Sequence, residues 1–289
     1  MNNKIKFVFF GSSRFSVIIL DELENAGYIP ACIITTSDKP RGRKLFLTPS
    51  PVKVWAKKRN IPVLDPIKLD TKFIESLNKK QWDLFIVASY GKIIPDIIIN
   101  IPKHKTLNVH PSLLPKYRGA SPLQSTMLDD AKQTGISIMR IDNIMDHGPI
   151  VAQEKVNINE WPIYEEFEEL LARKSGQLLV NIMVDWVSDR IVEKEQDHDE
   201  ATFSRKISKK NGLINLEDDP YLNFRKIQAF HEWPQAYFMH KHNDRKIRVK
   251  ITQALFENGK LNIGKVIPEN GKEISFEDFK RGYGKNNIF

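Results

Sequence analysis

The segment Asn108-Val109-His110-Pro111-Ser112-Leu113-Leu114-Pro115 carries the most information about the fold and chemistry of this chain. Apolar residues lead up to it and predict a buried β-strand, which must end at Pro111 because proline has no N–H to donate to a neighbouring strand. Asn108 and His110 are two positions apart, so their side chains point to the same face. An amide and a titratable ring therefore lie side by side at the end of a sheet, where open α/β folds bind ligands.

A carboxylate in a second segment completes a candidate catalytic group. Residues 135–141 alternate small or polar with apolar side chains, which predicts a strand, and Asp146 follows in a turn-rich stretch before Gly148. An amide beside an imidazole polarises a carbonyl and stabilises the oxyanion that forms when the carbonyl is attacked. A nearby carboxylate accepts a proton, or orients the ring and stabilises its charged form. We therefore predict that Asn108, His110 and Asp146 are the catalytic residues.

Several short motifs around these residues together resemble one known family, the folate-dependent formyltransferases. The motifs are Asn108-x-His110, the loop Ser112-Leu113-Leu114-Pro115, Tyr117-Arg118-Gly119 and Asp146-x-Gly148. Two further segments are similar to the branch of that family that acts on methionyl-tRNA, namely residues 39–53 and residues 227–237. The resemblance runs from Lys4 to about Tyr237, and it is specific because it depends on the combination of motifs.

The resemblance implies a reaction and its substrates. It predicts an enzyme of translation initiation that transfers the formyl group of 10-formyltetrahydrofolate to the free amino group of initiator methionyl-tRNA. Asn108 and His110 would donate hydrogen bonds to the formyl oxygen, and Asp146 would stabilise the charged form of His110 or take the amine proton. We expect the enzyme to act as a monomer and to need no metal.

The resemblance also assigns binding residues in three segments. The loop that would line the folate pocket consists of Ser112, Leu113, Leu114 and Pro115. The segment whose backbone would meet the pterin edge of the folate consists of Ser89, Tyr90 and Gly91. The basic loop that would contact tRNA phosphates near the acceptor end consists of Arg41, Gly42, Arg43 and Lys44. Arginine and lysine bind phosphates, and glycine permits their close approach.

Composition and charge set limits on the class of protein. The net charge of +8 and the pI near 9.3 favour a polyanionic partner such as a nucleic acid. Cys32 is the single cysteine, so neither an intrachain disulfide nor a cysteine cluster for zinc can form. The apolar run at residues 7–10 is too short for a signal peptide or a membrane span. We therefore expect a cytoplasmic protein without a membrane partner.

The order of elements predicts an α/β protein with two domains. A strand at residues 5–10, a tight turn with Ser13 as helix cap, a helix over 15–26 and a strand at 29–35 favour a Rossmann-like parallel sheet. We predict that the catalytic domain covers residues 1–190. A polar linker over residues 191–203 and a C-terminal domain over residues 204–289 would follow it.

The predicted C-terminal domain has short strand-like runs and a hairpin signal at Asn258-Gly259, which indicate a small β-barrel. The resemblance implies that this barrel is OB-like and binds tRNA. It is shorter than in the family, because several strands' worth of sequence is missing between Thr252 and Val266.

Two alternative functions stay open at this point. The first keeps the chemistry and changes the acceptor to an amino-sugar nucleotide; the shortened barrel favours it, whereas the basic loop 41–44 and the net charge argue against it. The second is a tRNA-binding protein without turnover, which would be favoured only if one of the three predicted catalytic residues were absent.

Overall fold

The computed structural model describes residues 5–41, 45–204, 206–242 and 245–283. The strands are β1 Phe7–Gly11, β2 Cys32–Ile34, β3 Lys39–Arg41, β4 Phe46–Thr48, β5 Val63–Leu64, β6 Leu84–Ala88, β7 Thr106–His110, β8 Arg118–Gly119, β9 Gln133–Arg140, β10 Ile150–Asn157, β11 Phe203–Ser204, β12 Tyr237–His242, β13 Arg245–Glu257, β14 Lys260–Pro268 and β15 Ile274–Ser275. The α-helices are α1 Arg14–Asn25, α2 Pro51–Lys58, α3 Thr71–Asn78, α4 Asp96–Ile99, α5 Pro122–Leu128, α6 Tyr164–Val187, α7 Pro220–Ala229 and α8 Phe276–Tyr283. None of the helices in these ranges is long and apolar enough to cross a membrane.

The chain divides into two compact units, and the first contains a seven-stranded sheet. This unit is formed by Met1–Gly119, Gln133–Asn157 and Glu168–Phe203. Its strand order is β10-β9-β7-β6-β1-β2-β5. The five strands from β7 to β5 pair with one another in parallel, whereas β9 pairs antiparallel with both β7 and β10. The prediction of an α/β fold dominated by a parallel sheet is confirmed.

The central strands form where the sequence is continuously apolar. Every residue of β1 and of β6 is buried, which is typical of parallel strands covered on both faces. Phe10 packs against Phe85 and Tyr90 in the core on one side of the sheet. Helix α1 begins as predicted at the Ser13 cap, whose hydroxyl accepts a hydrogen bond from the backbone N–H of Ser16.

The parallel pairing of β6 and β7 brings two loops to the same edge of the sheet. Val87 is in register with Asn108, so the segment that starts at Ser89 leaves the sheet beside the end of β7. Strand β9 runs the other way and places Ser137 opposite His110. Strand β9 therefore ends at Arg140, opposite Leu107 near the start of β7, and the connection from β9 to β10 contains Asp146.

The second unit is formed by Ala120–Lys132, Ile158–Phe167 and Ser204–Phe289. In its described part, β12, β13, β14 and β15 make a four-stranded antiparallel sheet where the sequence predicts a small, shortened barrel. Helices α7 and α8 contact this sheet, and Phe238, Val249 and Phe279 lie in the shared core. The predicted hairpin is present: Asn258 and Gly259 join β13 to β14 with φ angles of 52° and 74°.

The predicted domain boundaries at 190 and 204 stay a prediction. The two compact units are discontinuous in sequence, because residues 120–132 and 158–167 group with the C-terminal part of the chain. Residues 191–203 group with the first unit, and the backbone of Lys194 exchanges two hydrogen bonds with Ile150 at the start of β10.

Candidate active site

The structure brings the three predicted catalytic side chains together at the end of β7. The Nδ2 atom of Asn108 donates a hydrogen bond of 3.3 Å to Oδ1 of Asp146. The Nδ1 atom of His110 lies 3.7 Å from Oδ2 of the same carboxylate. The side chains of His110 and Asp146 are only 6% and 12% exposed, so both groups act in surroundings that contain little water. Amide, imidazole and carboxylate thus form one cluster.

The tautomer of His110 follows from its second contact. Its Nε2 atom lies 3.0 Å from the backbone carbonyl oxygen of Tyr117. A carbonyl oxygen can only accept, so Nε2 carries a hydrogen and donates it. When the ring is neutral, its lone pair is therefore on Nδ1, the nitrogen that faces Asp146. When the ring takes up a proton, Nδ1 becomes a donor to that carboxylate.

The backbone at Asp146, Gly119 and Gly148 sets the position of the Asp146 carboxylate. Asp146 has a φ of 51°, a left-handed conformation that aspartate tolerates better than most residues. Its Oδ2 atom accepts a 2.7 Å hydrogen bond from the N–H of Gly119, where φ is 109° and only glycine fits easily. A Cβ atom on Gly148 would lie 2.0 Å from the carbonyl oxygen of Arg140, so the chain needs glycine there to fold back.

The predicted folate loop is held by side chains that lie outside its motif. The hydroxyl of Ser137 donates to the carbonyl oxygen of Ser112 at 2.7 Å and accepts from the N–H of Leu114 at 3.0 Å. Gln153 donates to the carbonyl oxygen of Leu114 at 2.8 Å. The side chains of Ser112 and Leu114 are buried, whereas those of Leu113 and Pro115 are partly exposed. Only these last two can offer much side-chain surface to a ligand.

The predicted pterin segment lies at the neighbouring strand end. Ser89 and Gly91 are exposed and have φ angles of 50° and 78°. The side chain of Tyr90 points into the core, where burial raises its pKa to about 12. Tyr90 can therefore serve a ligand only through its backbone, and its carbonyl oxygen already accepts a hydrogen bond from the hydroxyl of Ser12. The segment presents backbone rather than functional side chains.

A buried polar network behind Asp146 was not predicted from the sequence. Gln196 is 5% exposed, and its Nε2 atom donates to the carbonyl oxygens of Asp146 at 3.0 Å and Gly148 at 2.7 Å. Its Oε1 atom accepts from Nε and Nη2 of Arg118 at 3.2 and 2.6 Å. Burial lowers the pKa of Arg118 from its ordinary value, although Asp146 and Asp142 oppose the shift, and the guanidinium stays charged at neutral pH.

Two histidines that look unremarkable in the sequence extend this network. His198 accepts a 2.9 Å hydrogen bond at Nδ1 from Nη2 of Arg118, which requires a lone pair on that nitrogen. The His147 ring stacks on the His198 ring with centroids 3.9 Å apart, and its Nδ1 atom lies 2.7 Å from the carboxylate of Asp142. The only sequence signal for this pair is that His147 adjoins Asp146.

The predicted tRNA-contacting loop falls only partly within the described residues. The backbone of Arg41 ends β3, whereas Gly42, Arg43 and Lys44 lie outside the described ranges. Strands β3 and β4 form a two-stranded hairpin. Phe46 and Leu47 on β4, which follow the basic run in the sequence, are 68% and 71% exposed. Lys53 ties the base of this region with ion pairs to Asp38 and Asp65 at 2.7 and 2.6 Å.

Comparisons with known proteins show the family of this chain. The family described as formyl transferase matches residues 3–183. A methionyl-tRNA formyltransferase of Sulfurihydrogenibium sp. (strain YO3AOP1) is 37% identical over 273 residues, which cover 93% of this chain and 86% of that protein. The chain therefore belongs to the formyl transferase family. Within that family, its similarity to the methionyl-tRNA formyltransferases extends over most of its length, as the sequence motifs predict.

Solved structures share the fold at lower sequence identity. The methionyl-tRNA formyltransferase from Clostridium thermocellum has a TM-score of 0.59 at 18% identity, with coverage of 94% of this chain and 99% of that one. An N-formyltransferase from Helicobacter canadensis, solved in complex with folinic acid and dTDP-3-aminofucose, has a TM-score of 0.62 at 19% identity, with coverage of 88% and 89%. These likenesses show the fold.

Proposed function

We propose that this enzyme transfers the formyl group of 10-formyltetrahydrofolate to the amino group of initiator methionyl-tRNA. The supporting observation is that the Asp146 carboxylate lies 3.3 Å from Nδ2 of Asn108 and 3.7 Å from Nδ1 of His110, in a chain that is 37% identical to a methionyl-tRNA formyltransferase over most of its length. We place this activity in the cytoplasm, where initiator tRNA is charged and used, and we expect a monomer to suffice because all three side chains come from one chain.

Asn108 serves the first step, the attack of the amine on the formyl carbon. A new bond forms between the amino nitrogen and that carbon, and negative charge develops on the formyl oxygen. The Nδ2 atom of Asn108 carries two hydrogens, and its contact with Asp146 uses one of them. The other can donate to the oxygen as it becomes charged, and a donor of this kind contributes roughly 10²–10³ in turnover.

His110 and Asp146 together handle the proton. The attacking amine must lose a proton as the new bond forms, and the lone pair on Nδ1 of His110 can take it while the Asp146 carboxylate, 3.7 Å away, stabilises the charged ring. Because Nε2 is fixed on the carbonyl oxygen of Tyr117, the proton enters and leaves the ring at Nδ1. The same proton is available to the folate nitrogen when its bond to the formyl carbon breaks and the electron pair returns to it.

The surroundings of the cluster fit a folate as formyl donor. The exposed backbone at Ser89 and Gly91 offers N–H and carbonyl groups of the kind that recognise a pterin edge. Leu113 and Pro115 offer apolar surface on a loop that Ser137 and Gln153 hold in place. Both segments lie at the sheet edge that carries His110, which is the edge where α/β folds bind ligands.

The tRNA acceptor is supported by charge and by the basic loop. The net charge of +8 favours a polyanion, and the sequence of residues 41–44 contributes three cations shortly before Phe46 and Leu47, whose side chains are exposed. Arg43→Ala should weaken the use of tRNA and reduce the salt dependence of binding while folate binding stays intact. Unchanged acceptor kinetics and an unchanged salt slope in that variant would remove the loop from tRNA recognition.

The direct test offers the purified enzyme a labelled formyl donor with one acceptor at a time. We expect formylmethionyl-tRNA to form and amino-sugar nucleotides to remain unmodified. Formylation of a sugar nucleotide but not of methionyl-tRNA would replace the acceptor and keep the chemistry. Tight tRNA binding without transfer to any acceptor would support the non-catalytic alternative.

A further inference from the structure

We propose that Gln196 is a positioning residue that holds Asp146 in its reactive place. The inference rests on the formyl transfer proposed above and adds a residue that the catalytic motifs do not contain. Gln196 lies 50 residues after Asp146 in the chain, in the polar stretch that the sequence predicts as a linker. Its side chain bonds to the backbone of Asp146 and not to the three catalytic side chains themselves.

The amide of Gln196 is used completely, which is unusual for a residue that only fills space. Its nitrogen donates to two carbonyl oxygens, those of Asp146 and Gly148, on either side of His147. Its oxygen accepts two hydrogen bonds from Arg118. A buried amide must satisfy these groups or lose stability, so the side chain can take only one orientation. That orientation fixes the turn in which Asp146 adopts its left-handed conformation.

The hydrogen bonds close into a ring around Asp146. Arg118 holds the oxygen of Gln196, Gln196 holds the carbonyl oxygen of Asp146, and the N–H of Gly119 holds Oδ2 of Asp146. Because Gly119 follows Arg118 directly, the same short strand positions both the backbone and the carboxylate of Asp146. Displacement of Gln196 therefore moves the carboxylate relative to Asn108 and His110.

The residues just before Gln196 are bonded to strands β9 and β10. The backbone of Lys194 makes two hydrogen bonds with Ile150, at 2.7 and 2.8 Å. The carboxylate of Glu193 accepts two 2.7 Å hydrogen bonds from Arg140. These contacts hold residues 193 and 194 beside the end of β9 and the start of β10, so the backbone just before Gln196 is fixed. A side chain on a fixed backbone can define a position, whereas one on a free linker cannot.

The test compares Gln196→Met, which keeps the volume and removes the hydrogen bonds, with Gln196→Glu, which keeps the acceptor for Arg118 and removes the donors. We expect both to lower kcat by roughly 10- to 100-fold with little change in KM for either substrate, because a misplaced group costs turnover rather than binding. Gln177→Met is the matched control, since Gln177 is exposed on α6 and bonds only to Glu22 among the contacts described. It should match the wild type.

A double variant separates positioning from general stabilisation. In an Asp146→Asn background, Gln196→Met should lower kcat by less than about threefold more, because the group that it positions is already disabled. Equal fold-losses in both backgrounds would overturn the proposal. So would wild-type kcat in Gln196→Met, or a loss of kcat that a matching loss of folded protein explains in thermal unfolding.

A measurement without substrate tests the positioning role independently of the proposed reaction. Hydrogen exchange at the N–H of Gly119 reports its bond to Asp146 directly. We expect exchange at this amide to be at least about tenfold faster in Gln196→Met than in wild type, and unchanged in Gln177→Met. Unchanged exchange at the N–H of Gly119 in Gln196→Met would contradict the positioning role, whichever formyl acceptor the enzyme uses. If the wild type fails to formylate methionyl-tRNA but exchange is faster in Gln196→Met, the proposed reaction is wrong and the positioning role is supported.

Discussion

Two aspartates in left-handed turns, Asp146 in the first unit and Asp130 in the second, differ in how their carboxylates are held. Their φ angles are 51° and 54°, and each accepts hydrogen bonds from several elements. At Asp130, one oxygen accepts from Trp161 at 2.7 Å, Lys132 at 2.9 Å and Tyr221 at 3.0 Å. At Asp146, the contacts with Asn108 and His110 are longer, at 3.3 and 3.7 Å.

The two carboxylates differ in the chemistry of the groups that contact them. The three donors at Asp130 are an indole, an ammonium and a phenol, and their short bonds to one oxygen join the end of α5 to α7 within the second unit. The looser partners at Asp146 are an amide and an imidazole at a sheet edge, and catalytic hydrogen bonds are often long before substrate arrives. Short bonds from groups that do not react suit a carboxylate that stabilises a fold, whereas longer contacts with an amide and an imidazole leave a carboxylate able to take part in proton transfer.

The largest expected effect comes from disabling the Asp146 cluster. Asp146→Asn and His110→Ala should each lower kcat by about 10³-fold, because proton transfer in the transition state is lost. Each should keep a cooperative unfolding transition, since the fold does not depend on the reacting groups. Steady-state formylation kinetics and urea denaturation check both points. Near-normal turnover in either variant would remove that residue from the mechanism.

At Asp130 the expected effect is on stability. Asp130→Ala leaves the indole of Trp161 and the hydroxyl of Tyr221 without their acceptor, and should lower the free energy of unfolding by about 1–3 kcal/mol. The estimate is modest because the Asp130 side chain is 27% exposed and its lysine bond is screened by water. The folded fraction should retain most of its kcat. A catalytic loss as large as that of Asp146→Asn would abolish the contrast between the two carboxylates.

The pH dependence of the unfolding free energy tests the stabilising role of Asp130. Burial pushes the pKa of Asp130 upward, but hydrogen bonds from Lys132, Trp161 and Tyr221 outweigh it and lower the pKa below 3.8. A lowered pKa means that the stabilisation is complete above the unfolded value and is lost as the pH falls through the folded one. The difference in unfolding free energy between wild type and Asp130→Asn should therefore shrink from pH 6 to below pH 3.8. A constant difference in urea denaturation would contradict this linkage.

The smallest expected effect concerns the loop beside the cluster. Gln153→Ala removes the hydrogen bonds that hold the carbonyl oxygen of Leu114 and the hydroxyl of Ser137. Loss of one or two neutral hydrogen bonds of about 1 kcal/mol should raise KM for the formyl donor by a factor of roughly 3–10 and leave kcat largely intact. If kcat falls and KM stays constant, the loop acts on the chemistry and not on donor binding.

The sequence predicts those features whose cause is local. The apolar strands β1 and β6, the Ser13 cap and the Asn258-Gly259 turn each follow from a few adjacent residues. The cluster of Asn108, His110 and Asp146 follows from a strand periodicity and a turn, supported by family motifs.

Features that depend on distant packing could not be predicted in the same way. Gln196 lies in a run of charged residues that resembles a solvated linker, and a buried glutamine has no local pattern that distinguishes it from an exposed one. The same holds for the stacked rings of His147 and His198, which also contact the distant residues Asp142 and Arg118. The two-unit division also depends on residues 120–132 and 158–167, whose grouping arises from long-range contacts.

A competition for label between the two acceptors shows which of them the enzyme formylates. Purified enzyme, a labelled formyl donor, and equal concentrations of methionyl-tRNA and an amino-sugar nucleotide are mixed, and the label in each product is counted. The proposed function requires nearly all label in formylmethionyl-tRNA with wild type, and about 10³-fold less after the same time with Asp146→Asn. Label found mainly in the sugar nucleotide, or equal labelling by the two enzymes, would contradict it.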